Sequence, residues 1–153
     1  MNESQALSAI NNIDHTIAER GVPYDEIRRC YAGFLLFLIN VKQVVERPSA
    51  QLQTVTQSLE YLAKIRQVDS DDALITELVS KLWAIEKGCR TSSVETSSLA
   101  RFAIHCAASE QEWLEMDLGE PTPIWTYFSS LRKICPDVGQ EFTTFFCDFF
   151  KIG

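Results

Sequence analysis

Apolar residues recur every three to four positions along most of this chain, and that period belongs to the α-helix. Leu7, Ile10, Ile13 and Ile17 predict a first helix over residues 3–20. Gly21 ends it, because a left-handed cap favours a residue without Cβ. A second helix is predicted over about residues 24–46. It starts at Pro23, whose missing N–H has no partner in a first turn, and stops before Pro48. Asp25 and Glu26 lie at its positive dipole end. From Cys30 through Ile39 it shows no polar face, which marks a buried central helix, and Gly33 within it leaves room for a close neighbour.

The third helix reads over residues 49–67, with Leu52, Val55, Leu59, Leu62 and Ile65 as its stripe. Asp69, Asp71 and Asp72 supply a cap and first-turn acids for a fourth helix that runs to Lys87 and ends at Gly88. Leu74, Ile75, Leu78, Val79, Leu82 and Trp83 are its expected inward face. Residues 89–98, rich in Ser and Thr, read as a linker. A fifth helix then begins near Ser97 or Ser98 and reaches at least Ala108. Ser109 and Glu112 resemble a capping box, so a new helix starts there or the fifth continues until Gly119 and Pro121. Thr122 and Pro123 open a helix to about residue 134, and Pro136 and Asp137 open the last, to about residue 151. That helix places Phe142, Phe145, Phe146, Phe149 and Phe150 on one face, expected to be core. A dimer seam or partner groove is the other use of such a face. No alternating strand pattern and no internal repeat is present. The expected fold is all-α: one domain, residues 1–153, a compact bundle of about six to eight helices around the apolar second one.

Composition narrows the class. Hydrophobic residues at 46% and charged residues at 23% describe an ordinary globular domain rather than a disordered chain. The net charge is −7, and no basic run exceeds Arg28–Arg29 or Arg132–Lys133. Direct binding to nucleic acid or an anionic membrane needs clustered cations and is disfavoured. Five cysteines, an odd number without a CxxC pair, fit reduced thiols and a cytoplasmic location. The N-terminus lacks the basic and apolar regions of a secretory signal. The most apolar run, residues 30–39, is half of the roughly 20 a membrane span requires. Chain length and several short helices about one apolar helix resemble globin-like and apoptosis-regulator-like architectures at the level of fold. No motif carries that likeness to a function.

Catalytic chemistry finds few footholds. The two histidines, His15 and His105, belong to no HExxH and no Glu-x-x-His pair. His105 and Cys106 are helix neighbours about 100° apart, poorly placed as a dyad. No glycine-rich phosphate loop and no GxSxG elbow occurs. A calcium loop counted from Asp69 would put Leu74 and Ser80 where glycine and glutamate are required. No catalytic residue, metal or cofactor is therefore assigned, and an enzyme would have to be assembled from carboxylates distant in sequence.

The unusual stretch is residues 110–120. It holds Glu110, Glu112, Glu115, Asp117 and Glu120, has no Lys or Arg, and contains Trp113. Residues 97–153 carry −4 of the total charge. A solvated helix face explains the acids, two of which favour a helix that begins at Ser109. A docking patch for a basic partner explains them together with Trp113, since Trp is enriched where binding energy concentrates. Trp125 and Tyr127 extend that patch in sequence. The expected function is a non-catalytic protein-binding module: an adaptor, chaperone, immunity protein or inhibitor with another protein as partner. The alternative is a bundle that holds an apolar small molecule or cofactor between the second and last helices.

Overall fold

A computed structural model describes residues 2–153, and 72% of them are helical with no strand. Eight α-helices follow in order: α1 (Glu3–Glu19), α2 (Tyr24–Asn40), α3 (Ala50–Lys64), α4 (Asp72–Gly88), α5 (Val94–Ala107), α6 (Glu110–Glu115), α7 (Ile124–Leu131) and α8 (Gly139–Phe150). A 3-10 turn at Gln67–Asp69 precedes α4. The all-α class and the number of helices agree with the periodicity. Contacts sort the residues into two compact units, one comprising residues up to Cys30 with residues 110–153, the other residues 31–109. The division falls inside α2.

Local chemistry explains several helix ends. Asn2 and Gln5 form a reciprocal capping box at the start of α1, with the Gln5 N–H donating to Asn2 at 2.8 Å and the Asn2 N–H to Gln5 at 2.9 Å. Its end is a Schellman motif. Gly21 is left-handed (φ +66°), the Val22 N–H donates to the Ile17 carbonyl at 3.0 Å and the Gly21 N–H to Ala18 at 3.1 Å. Asp71 caps α4 by accepting from the Ala73 and Leu74 N–H groups at 2.9 and 3.3 Å. That carboxylate serves a helix end, as the cap reading expected.

Several boundaries depart from the sequence expectation. α2 stops at Asn40, six residues before residue 46. The chain turns at Gln43, which is left-handed (φ +54°), and the Val44 N–H returns to the Leu38 carbonyl at 3.1 Å. Pro48 bars the helical region only to its immediate predecessor, so it marks a limit and not the end. α5 starts at Val94, because Ser93 rather than Ser97 or Ser98 caps it, accepting from the Thr96 N–H at 3.3 Å. The linker shrinks to residues 89–93. α7 covers only Ile124–Leu131: Pro123 occupies the N-cap position, and past Leu131 the chain passes into turns, the Lys133 N–H donating to the Ser130 carbonyl at 3.3 Å and the Ile134 N–H to Leu131 at 3.1 Å.

In the first unit α1 packs on α7 and α8. Ile10, Ile13 and Ile17 are fully buried, with Phe142 and Phe146 stacked 4.2 Å apart and Phe128 5.3 Å from Phe142. Gly139 begins α8 against Ala6, and a Cβ there would come within 2.9 Å of the Ala6 Cβ. Asp14, buried, accepts a hydrogen bond from the Thr122 hydroxyl, which in turn accepts from the Ile124 N–H at 3.2 Å. This joins α1 to the start of α7. The five phenylalanines of α8 do not share one fate: Phe142 and Phe146 are buried, Phe145 and Phe150 half-buried, and Phe149 is 47% exposed. Steps of three and four spread the rings over an arc of about 140° whose middle member is Phe142, while Phe149, beside it in direction, lies two turns further on in the last turn of the helix. Only part of the expected core face is core, and its buried rings are not free to form a dimer seam.

In the second unit α5 packs on α3 and α4. The buried positions of α5 mix small residues (Ser97, Ala100, Ala103), which let helices approach closely, with the larger Leu99 and Phe102. The expected inward face of α4 is corrected here. Leu82 is buried, but Leu74 and Trp83, on the flanks of a nearly half-circle apolar arc, remain 43% and 41% exposed. Glu86 is buried instead. Its carboxylate accepts two hydrogen bonds from Arg90 (3.0 and 2.9 Å) and one from Arg101 (2.6 Å), while its carbonyl accepts from Ser97 (2.7 Å). The two guanidinium groups hold the Glu86 carboxyl below its usual range. α2 itself contributes residues to both units, and those between Tyr24 and Ile39 bury an arc of about 200°, broad for a helix, as its apolar composition demands.

Candidate protein-binding surface

Residues 110–120 lie within the first unit. α6 is short, and Glu110 and Glu112 occupy its first turn, where negative charge is favoured. The chain leaves it through two tight turns, the Met116 N–H donating to the Trp113 carbonyl at 3.2 Å and the Asp117 N–H to Leu114 at 3.1 Å. Asp117 is left-handed (φ +49°), as is Gly119 (φ +72°), and Asp is among the residues that tolerate this conformation. Beyond these turns the segment has no regular structure, and residues 114–119 are exposed.

The sequence-assigned residues divide. Glu110, Glu112, Glu115 and Asp117 are exposed. Glu120 is half-buried and accepts from the Thr126 hydroxyl at 3.1 Å, so it serves the connection to α7. Trp113 is half-buried and stacks on Tyr24, ring centroids 5.9 Å apart. Its indole N–H is buried without a hydrogen-bond partner among the described residues, an arrangement that costs about 1–3 kcal/mol. Trp113 therefore seats the segment rather than projecting from it. Tyr127 is 3% exposed and does not extend the patch, and Trp125, half-buried, packs edge-on against Phe128.

The apolar members of the surface are ones the sequence reading passed over. Leu114, Met116 and Leu118 are 59%, 54% and 47% exposed. Three large apolar side chains within five positions, set among four exposed carboxylates, go beyond the singly scattered apolar residues of an ordinary surface. The signal was the alternation of apolar and acidic residues from Leu114 to Leu118, a compositional pattern that marks interaction segments.

Elsewhere the reactive groups are quiet. Cys30, Cys89, Cys106 and Cys135 are buried thiols outside any disulfide, and Cys147 is half-buried. Burial pushes the Cys30 thiol far above its ordinary range, and burial with neighbouring Asp148 raises Cys147, so both stay protonated and weakly nucleophilic. His15 is exposed, 3.6 Å from Glu19 on the next turn. Among the described residues no three His, Cys, Asp or Glu side chains cluster as a metal site, and no helix is long and apolar enough to cross a membrane.

The chain matches no protein-family model, no curated protein and no solved structure. The fold-level likeness to globin-like and apoptosis-regulator-like architectures finds no support there.

Proposed function

We propose that this chain is a non-catalytic, cytoplasmic protein-binding module that offers residues 110–118 to a partner with a basic rim around an apolar pocket. The observation that carries this reading is the exposure of Leu114, Met116 and Leu118 among Glu110, Glu112, Glu115 and Asp117, with no cation in the segment. Magnitudes divide the labour. Fully burying each apolar side chain contributes about 1.5–3 kcal/mol, whereas a rim ion pair contributes roughly 0–1 kcal/mol. The apolar residues supply affinity, and the acids supply encounter rate and choice of partner. Adaptors, chaperones, immunity proteins and inhibitors all work through such a surface without a cofactor.

The test uses two triple variants for affinity capture from host extract. One replaces Glu112, Glu115 and Asp117 by Lys, and the other replaces Leu114, Met116 and Leu118 by Ser. Both should keep the wild-type circular dichroism spectrum and lose the partner, and wild-type capture should weaken as salt rises. Undiminished capture by both variants rejects the surface.

A further inference from the structure

The second unit carries a separate site. An open groove of about 640 Å³ lies between the end of α2, the loop after it and the first half of α3. That volume is within the roughly 300–1,000 Å³ typical of ligand sites. Ile39 and Leu52, each only 8% exposed, and Val45 give it an apolar floor. Its polar wall consists of Asn40, Gln43, Gln53 and Glu46, whose side chains make no hydrogen bond among the described residues. The two hydroxyls present are already engaged: Ser49 accepts from the Leu52 N–H at 3.0 Å, and Thr56 donates to the Leu52 carbonyl at 2.9 Å. Gln43 holds a left-handed backbone (φ +54°) that a residue with a side chain rarely adopts. Such positions recur at ligand clamps.

The lining selects among ligand classes. No Lys or Arg lines the groove, which disfavours phosphates. No aromatic ring lines it to stack on a sugar or base, and a single carboxylate does not hold a metal ion. Carboxamides pair a donor with an acceptor, as a peptide group does, so three of them match an extended main chain. We infer that this groove binds an extended peptide segment, seating an aliphatic side chain on Ile39 and Leu52 and a cationic one against Glu46. In an extended strand, residues two apart share a face, so both can enter together.

The probe is a capped pentapeptide with leucine second and lysine fourth in a glycine frame, titrated into the ¹⁵N-labelled full chain. Amide shifts should concentrate in residues 39–56 and saturate at a peptide concentration on the order of 1–10 mM. Glu46 is an exposed loop residue, so Glu46→Lys should leave the rest of the spectrum unchanged. It should weaken the lysine peptide about threefold to tenfold and favour a peptide with glutamate fourth. Absence of shifts at about 10 mM, shifts centred elsewhere, or indifference to Glu46→Lys would overturn the site. Stronger shifts of the same amides by inorganic phosphate or maltose would overturn the peptide assignment.

Discussion

At the scale of single residues, the same side-chain type takes opposite roles according to what faces it. Phe146 and Phe149 sit three positions apart on α8, yet one is fully buried and the other 47% exposed. Phe146→Ala should cost about 3–5 kcal/mol through the lost transfer energy and the cavity left behind. Phe149→Ala should cost less than about 1 kcal/mol. Urea denaturation of the two variants checks this, and equal losses would contradict the burial described. Periodicity marks both as members of one stripe, because it reports direction around a helix axis and carries no information on how far the neighbouring helix extends. Trp113 teaches the converse. Its type suggested a projecting anchor, and stacking on Tyr24 turned it inward, leaving its neighbour Leu114 outside.

At the scale of elements, α4 and α5 are joined by a carboxylate that hydropathy cannot announce. Glu86 reads as one more polar position near a helix end, and its two arginine partners lie 4 and 15 residues further on. Its lowered pKa fixes the pH response. The charged carboxylate stabilises the fold fully above the ordinary carboxylate range, and this contribution is lost as pH falls through the depressed folded value. The melting temperature of wild type should exceed that of Glu86→Gln at about pH 7, and the gap should narrow toward about pH 3. A gap independent of pH would show that the ion pairs contribute nothing. Helix termini were more legible than this tie. Gly21 and Asp71 act within a turn of their own positions, so local sequence identifies them. The early stop of α2 was not legible, because residues 41–46 contain neither glycine nor proline.

At the scale of the whole molecule, four of the five thiols are buried and raise no expectation of bridging. Under native conditions an aromatic disulfide reagent should titrate Cys147 first and slowly, its half-buried thiol being held protonated. The remaining thiols should react only on unfolding in denaturant. Rapid native reaction of all of them would contradict the packing of both units.

Helicity, the placing of most helices and the acidic character of residues 110–120 could all be read from residue order. They depend on repeats of three to four positions, on caps that act within one turn, and on simple charge. Which apolar stripes are covered, where Glu86 finds its arginines and which side chains of residues 110–118 face water depended on packing between segments far apart in the chain. Burial is a property of a residue's neighbours in space, and no one-dimensional pattern names them.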